Sequence, residues 1–358
     1  MSSDFSDFDT FLDAAPMGTG SVSGHIGVGS GNSPSASWFE PGYEGSIDYR
    51  IRQLSYSSLL TLHSCPRKYE LYKKRATAAA ESETSTITFA FGHIVGEAIQ
   101  LALTPGISED QIIWKMFLTW HADLFASDEK ACKSFWDGVV ALKRFMSLRE
   151  AGLLADYELV YFQGKPACEL SFCINFPDGF RYRGHVDAVL THKISREVLV
   201  LECKTTKTKS LNPNTYKNSA QAIGYSIILD SIFPELSSYH VLYLVYQTIS
   251  REFTQIPFRK TYLQRALWIR ELLLDIEKIK MYEEAQIYPM HGESCVTYSV
   301  ETEKESKVWI GDCEYINTCT LSNEHITMKC TAEMEDKTEY QVNLTLADLL
   351  NTQLEKVT

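Results

Sequence analysis

Two carboxylates and one amine near the middle of the sequence lie in apolar segments, where charged side chains are unexpected. Asp187 is near the end of one segment, and Glu202 and Lys204 are two residues apart in the next. Buried charges are costly unless they are paired or bind a metal. Oxygen ligands of this kind favour Mg²⁺ or Mn²⁺, with the backbone carbonyl of Cys203 as a further ligand. Such an ion, with a lysine that positions a water, can hydrolyse phosphodiesters.

These side chains belong to a predicted β-hairpin. Its strands are predicted over residues 181–190 and 198–204, joined by a polar turn at 192–196. Because side chains two apart on a strand point to the same face, Glu202 and Lys204 should lie side by side. The hairpin also brings both carboxylates to the ends of neighbouring strands.

The two segments resemble a known family. Gly184–Asp187, followed after fourteen residues by Glu202–Lys204, resembles the D…ExK core of the PD-(D/E)XK nucleases, and Gln221 and Tyr225 have the spacing of the QxxxY motif of their RecB-like branch. The resemblance covers about residues 55–320. It implies an α/β fold with a restriction-endonuclease-like core, in which helices flank a central mixed sheet of about five strands. The catalytic residues that it implies are Asp187, Glu202, Lys204, Gln221 and Tyr225.

One motif of the branch is altered in this chain. RecB-like nucleases carry a G-x-x-x-H motif whose histidine helps to bind metal, but the position four residues after Gly92 is Gly96. We expect either His93 or Glu97 to reach the metal instead. RecB-like relatives also often carry a glutamate at the position of Glu169, to which we assign a structural role.

A basic segment follows the first predicted helix, which Ser55 should cap. Its opening, Cys65-Pro-Arg-Lys-Tyr-Glu-Leu, resembles that of RecB-like phage and CRISPR-associated nucleases. Arg67 and Lys68 there, and Lys207 after the catalytic strand, are candidates for contacts with DNA phosphates. The alternative is an ordinary solvated helix face.

Four cysteines resemble the ligands of the iron–sulfur nucleases of this branch: Cys65, Cys295, Cys313 and Cys319. Four thiolates are the usual ligands of a [4Fe–4S] cluster. The seventeen residues between Cys295 and Cys313 depart from the family spacing, but an insert can loop out at a small entropic cost. A zinc site, or ordinary unliganded cysteines, are the alternatives.

Composition bears on whether the chain is a membrane protein, a secreted protein or a DNA-binding protein. No apolar run reaches the length of a membrane span, and nine cysteines without a recognisable secretion signal favour a reducing cytoplasm. The net charge of −12 is unusual for a DNA-binding protein, but residues 1–49 hold seven of the acidic groups and no Lys or Arg. The charge therefore neither supports nor excludes DNA as a partner.

Three regions are expected along the chain. Residues 1–48 form a disordered tail, rich in Gly and Ser, whose acidic-aromatic start is either solvated or docks on a protein partner. Residues 49–320 form the nuclease domain. Residues 321–358 form a C-terminal extension, with strands at 326–332 and 340–344 and a final helix from Thr345.

The resemblance implies metal-dependent cleavage of DNA. Its most specific form is a phage-encoded RecB-like exonuclease that acts in recombination or repair in the cytoplasm of a bacterial host. Two alternatives remain open: a nuclease-fold module that binds DNA or assembles without catalysis, and a structure-specific endonuclease.

Overall fold

The computed structural model describes residues 50–74, 83–217, 219–301, 306–320 and 339–357. The predicted tail and the predicted strand at 326–332 lie outside these residues. Among the described helices, none combines the length and apolar character that a membrane span needs.

The helices and strands follow the order expected of an α/β chain. The helices are α1 Tyr56–Ser64, α2 Pro66–Lys73, α3 Glu83–Leu103, α4 Glu109–Thr119, α5 Phe135–Glu150, α6 Asn214–Lys217, α7 Ala220–Gly224, α8 Ser226–Ile232, α9 Tyr262–Ala285 and α10 Leu346–Val357. The strands are β1 Gln53–Leu54, β2 Ser127–Asp128, β3 Lys133–Ser134, β4 Tyr157–Leu159, β5 Tyr161–Phe162, β6 Lys165–Pro166, β7 Cys168–Asn175, β8 Arg181–His192, β9 Val198–Thr206, β10 Ser238–Gln247, β11 Glu252–Thr261, β12 Val296–Glu301, β13 Ser306–Asp312 and β14 Val342–Thr345.

A mixed sheet forms the centre of the described chain. Its main path is β11-β10-β9-β8-β7-β14, and β1 and β4 add short pairings to β8. The neighbours along the path are antiparallel except for β9 with β10 and β14 with β7, which are parallel. These eight strands exceed the expected five, because two short segments and the C-terminal strand join the core sheet.

Helices cover both faces of this sheet, as the fold class predicts. Strand β9 shows how the sequence divides between the faces: Val198 and Val200 pack with α1, α8 and α9, whereas Leu199 and Leu201 pack with α3, α4 and α5. The alternation follows from the two-residue period of a strand. A strand that is buried on both faces holds its register firmly, so the charged residues at its end are placed with little freedom.

The C-terminal segment belongs to this architecture. Strand β14 pairs with β7 at the edge of the sheet, and the Gln353 side chain of α10 donates to the carbonyl of Tyr262 at 3.0 Å. The expected extension therefore contributes a strand and a helix to the core fold in residues 342–357.

For the segment with the QxxxY spacing the sequence predicts one helix over residues 219–233, whereas the structure divides it into α7 and α8. Tyr225 lies between the two helices with helical angles, φ −62° and ψ −24°. Gly224 immediately precedes it, and glycine is a poor helix former. The two short helices still present Gln221 and Tyr225 toward the sheet.

Helix α1 is held at both ends. Ser55 caps its first turn, and Ser58 returns a hydrogen bond to the Ser55 backbone. At its other end, His63 Nε2 lies 2.7 Å from Oδ2 of Asp275, a buried carboxylate on α9. This contact raises the pKa of His63, although partial burial opposes the shift.

The His63–Asp275 pair predicts a pH-dependent stability. A raised pKa in the folded chain stabilises it below the ordinary value of 6.5, and that stabilisation is lost as the pH rises through the folded-state pKa. Urea unfolding should therefore show that His63→Ala costs more at pH 5.5 than at pH 8.5, by at most about 1 kcal/mol because the histidine is half exposed. The difference should vanish in an Asp275→Asn background; its persistence there would assign it to another group.

Candidate active site

The hairpin of β8 and β9 opens at its catalytic end. Backbone pairing covers only Ala188–Thr191 and Val198–Leu201. Beyond it, the N–H of Cys203 donates to Oδ2 of Asp187 at 2.7 Å. A side-chain carboxylate therefore accepts the hydrogen bond that a neighbouring strand would otherwise take, and the two strands separate around it.

The carboxyl group of Asp187 lies in an unfavourable place for a charge. Burial and then the nearby Glu202 raise its pKa to about 8, with a smaller contribution from Glu169, while the Cys203 N–H and Lys204 oppose the shift. Crowded acidic groups that resist ionisation are typical of sites that receive a cation or a proton.

Glu202 is almost fully buried, with 1% of its surface exposed. Its Oε1 lies 2.5 Å from Nζ of Lys204, and its other oxygen accepts a hydrogen bond from the Tyr225 hydroxyl. Lys204 also donates to Oε1 of Gln221 at 3.2 Å. The structure therefore gathers the residues of the predicted ExK and QxxxY motifs into one hydrogen-bonded network.

This network sets the protonation of its members. Burial lowers the pKa of Lys204, but the carboxylates of Glu202 and Asp187 outweigh burial and raise it. Burial, followed by the same two carboxylates, holds the pKa of Tyr225 well above its ordinary value. At neutral pH the amine is charged and the phenol remains a hydrogen-bond donor.

Glu169 lies opposite Asp187, a placement that the sequence-based assignment of a structural role did not anticipate. It sits between the paired positions Cys168–Ala188 and Leu170–Val186, in a left-handed conformation with φ 51°. Its Oε1 accepts a hydrogen bond from Gln100 of α3 at 3.2 Å. The sequence offered one indication of this placement: positions 169 and 187 are equally distant from the turn between β7 and β8, and such positions face each other in a hairpin.

Helix α3 turns a small-residue face toward the catalytic strand. A methyl group on Gly92 would lie 3.5 Å from Oγ1 of Thr205, whereas one on Gly96 would meet nothing within 4 Å. Gln100, one turn further, reaches Glu169. The position that carries histidine in the family motif is thus open space beside the carboxylates.

The structure turns His93 and Glu97 away from this face, although either was expected to replace the missing histidine. The His93 ring stacks between Phe89 and His121. Glu97 accepts a hydrogen bond from Thr119 at 2.7 Å and lies 3.7 Å from Lys115. His93 is rotated on the helix by about 100° from Gly92, and Glu97 by about 100° from Gly96, and the contacts of both side chains are with these neighbours.

A cleft of about 340 Å³ opens beside the network. Lys204, Gln221 and Tyr225 form one side, and the start of α1 and the backbone and side chains of Arg183–His185 form the other. A cleft of this size can accept a ligand as large as a nucleotide. The buried network therefore has access to a substrate.

The residues predicted to contact phosphates have different surroundings. Arg67 is only 9% exposed, and its guanidinium contacts the Glu70 carboxylate and the carbonyl of Cys319, the latter at 3.2 Å. Lys68 lies 3.4 Å from Glu314. Lys207 is exposed just beyond β9. Arg67 thus ties α2 to the C-terminal part of the domain, which the basic pattern of the segment did not reveal.

The four predicted cluster cysteines line one pocket. The insert between Cys295 and Cys313 forms the antiparallel hairpin β12–β13, and the N–H of Cys313 donates to the carbonyl of Cys295 at 2.7 Å. Cys65 accepts a hydrogen bond at its sulfur from the N–H of His291 at 3.5 Å. The unusual spacing therefore does not separate the cysteines.

The described residues contain no group of three His, Cys, Asp or Glu side chains placed to hold one metal ion. The gap enclosed by the cysteine pocket is about 20 Å³, room for about one water molecule. Each thiolate of a [4Fe–4S] cluster binds a different iron, so its ligands stand farther apart than those of a single ion. The four cysteines therefore supply the donor set of a cluster, while the space enclosed between them in this structure is small.

Comparisons with solved structures find distant likenesses. One is a protein from Eubacterium rectale described as a proposed exonuclease, with 12% identity and a TM-score of 0.43, covering 72% of this chain and 91% of that one. Another is a protein named SSO0001, with 14% identity and a TM-score of 0.25, covering 67% of this chain and 90% of the other. No curated protein matches the sequence.

A family model accounts for most of the chain. The model of the PD-(D/E)XK nuclease superfamily matches residues 53–320. The matched range includes the central strands, the open hairpin and the network around Glu202. The protein belongs to the PD-(D/E)XK nuclease superfamily.

Proposed function

We propose that the protein is a metal-dependent DNA exonuclease of the RecB-like, phage-encoded type. The observation that carries the proposal is the network at the open end of the β8–β9 hairpin, where Lys204 contacts both Glu202 and Gln221. Carboxylates that can hold a divalent ion, with an amine beside them at an accessible point, can support the hydrolysis of phosphodiesters. The QxxxY residues in the same network favour the RecB-like branch.

The carboxylates suit a divalent ion. Nucleases of this superfamily typically use ions such as Mg²⁺, and Asp187 and Glu202 would hold it here, with the carbonyl of Cys203. A cation would relieve the repulsion that, with burial, raises the pKa of Asp187. Because Mg²⁺ commonly takes one or two carboxylates and completes its shell with water and substrate phosphate, three protein side chains are not required. When bound, the ion polarises the phosphate and favours ionisation of a water.

The other residues position the reactants. Lys204, held between Glu202 and Gln221, orients the attacking water and balances charge that develops on the phosphate. The Tyr225 hydroxyl fixes the buried Glu202 carboxylate. Gln221 acts through Lys204 and is therefore a positioning residue.

One assay tests the activity and its type. End-labelled linear DNA and circular single-stranded DNA are incubated with Mg²⁺, Mn²⁺ or EDTA, with Glu202→Gln as the control protein. An exonuclease shortens the linear DNA and leaves the circle intact in the presence of metal. Cleavage of the circle would identify an endonuclease, and intact DNA in every sample would identify a catalytically inactive module.

Replacing Asp187 by asparagine should abolish cleavage yet stabilise the metal-free protein. Between its ordinary pKa of 3.8 and about 8, Asp187 ionises in the unfolded chain while the folded chain keeps its proton. Wild-type stability therefore falls as the pH rises through this window, and Asp187→Asn removes that loss.

Thermal melts in EDTA at pH 5, 7 and 8.5 measure this effect. The advantage of Asp187→Asn over the wild type should grow with pH and level off above 8. Asp156→Asn, at an exposed position, is the matched control and should show no such trend. A melting temperature of Asp187→Asn below that of the wild type at pH 8.5 would contradict the assignment.

Lys204→Ala should separate catalysis from metal binding. Because the amine acts on water and phosphate, cleavage should fall by about 10²- to 10⁴-fold, while calorimetry with Mn²⁺ should still detect binding. Gln221→Ala should cause a smaller loss of the same kind, since it leaves the Lys204–Glu202 contact in place. Loss of Mn²⁺ binding in Lys204→Ala would instead make the lysine part of the metal site.

We further propose that Cys65, Cys295, Cys313 and Cys319 hold a [4Fe–4S] cluster. The support is their convergence on one pocket, together with the hairpin that returns Cys313 to Cys295. Four thiolates fit the donor set of such a cluster. It would join α2 to the segment after β13 and so hold the N-terminal and C-terminal parts of the domain together.

Anaerobic purification tests the cluster. Wild-type protein should be brown and contain about four irons per chain, and Cys319→Ala should lose colour and iron and melt at a lower temperature. Cys132→Ala, which changes a cysteine away from the pocket, is the control and should keep both. Colourless wild-type protein that carries zinc, or no metal, would remove the cluster and leave the nuclease proposal intact.

A further inference from the structure

Three aromatic rings form a row on the surface beside the candidate active site. The rings of Phe89 and His93 are parallel within 1°, with centroids 6.5 Å apart, and the ring of His121 follows at 5.7 Å from His93 with a 28° tilt. We call Phe89, His93 and His121 the ring row. The first two belong to α3, and the third lies in the connection after α4.

The ring row is exposed to solvent. Phe89 is 72% exposed, and both histidines are also exposed. A large apolar ring at this exposure contributes little to the folding of the chain. Because His93 is stacked between the other two rings, Phe89 and His121 are the rings that can offer a face to another flat aromatic group.

The ring row is close to the catalytic strand. Gly92, between Phe89 and His93, packs near Thr205, the residue after Lys204. Seven residues separate Phe89 from Gly96, which is about 10 Å along a helix. A chain that enters the site past α3 would therefore meet these rings within a few nucleotides of the carboxylates.

An exposed lysine accompanies the rings. Thr205, which lies near Gly92 of α3, is followed two residues later by Lys207, whose side chain is exposed. Nζ of Lys133 lies 3.3 Å from Oγ1 of Thr88, but this lysine is only 6% exposed, and burial chiefly lowers its pKa. Lys207 is therefore the positive charge that a ligand on the ring row can reach.

Carboxylates on the adjoining elements have partners within the protein. Asp128 accepts the N–H of Ala131 and faces Lys133. Glu97 is engaged by Thr119 and Lys115. The aromatic faces and the exposed Lys207 therefore favour a ligand that combines flat rings with negative charges.

We propose that the ring row binds unpaired bases of single-stranded DNA on its way to the active site, while Lys207 contacts the phosphates. This inference rests on the proposed nuclease function, whose substrate class it specifies. Every base has an aromatic face, so stacking tolerates any sequence. Bases within a duplex already stack on their neighbours, so the ring row discriminates in favour of single strands.

Binding without metal tests the inference. Fluorescence anisotropy in EDTA and low salt compares a labelled oligothymidine of about 15 nucleotides with a blunt hairpin duplex. The wild type should bind the single strand more tightly. Phe89→Ala should weaken that binding about 5- to 100-fold, the range for removal of one stacking contact, and should leave duplex binding unchanged. Tyr161→Ala, at another exposed aromatic residue, is the matched control.

An abasic oligonucleotide of the same length isolates stacking from charge. It keeps the phosphates but lacks bases, so the wild type and Phe89→Ala should bind it equally. His121→Ala is a second variant that should repeat the pattern. Equal affinity of the wild type and Phe89→Ala for oligothymidine, or the same loss on the abasic strand, would overturn the inference.

The binding test can be interpreted separately from the cleavage assay. If the wild type shows the binding pattern but cleaves no DNA with any metal, the ring row stands and the nuclease proposal fails. If the wild type cleaves DNA but Phe89→Ala binds single strands normally, the nuclease proposal stands and the ring row fails. Absence of single-strand binding by the wild type also overturns the inference.

Discussion

The candidate site depends on one hydrogen bond, from the Cys203 N–H to the Asp187 carboxylate. It lies just beyond the last backbone hydrogen bond between β8 and β9. It ends the pairing of the strands, and it gives the Cys203 N–H an acceptor that it would otherwise lack. A fully paired hairpin would fill this gap with backbone and leave no room for an ion or phosphate. The separation of the strands therefore comes at little energetic cost.

The remaining charges are stabilised by contacts from several distant elements. Glu202 is held from β9 by Lys204 and from the α7–α8 junction by Tyr225, and Glu169 is held by Gln100 of α3. Each of these helices packs on the sheet through apolar residues, so the core fixes the distances between the polar groups. Side chains from helices on opposite faces thus converge where β8 and β9 separate.

The sequence predicted what depends on local pattern and missed what depends on distant partners. Alternation located the β8–β9 hairpin, and the resemblance to the QxxxY motif implied that Gln221 lies at the site, where it contacts Lys204. The role of Glu169 required the register of β7 against β8, which apolar alternation alone does not determine. Arg67 seemed a surface cation because its partner Cys319 is far away along the chain. For His93, the contacts that decide its place are with Phe89 and His121, and the motif spacing did not indicate them.

The hairpin β12–β13 begins and ends at a single point, because Cys313 donates to the carbonyl of Cys295. This hydrogen bond fixes the base of the hairpin, so a change in the length of the hairpin need not move the two cysteines. A polypeptide of any length could occupy this position without changing the distance between the two cysteines. The protein thus carries a natural attachment point, where a fluorescent or affinity module could be inserted without entering the cysteine pocket.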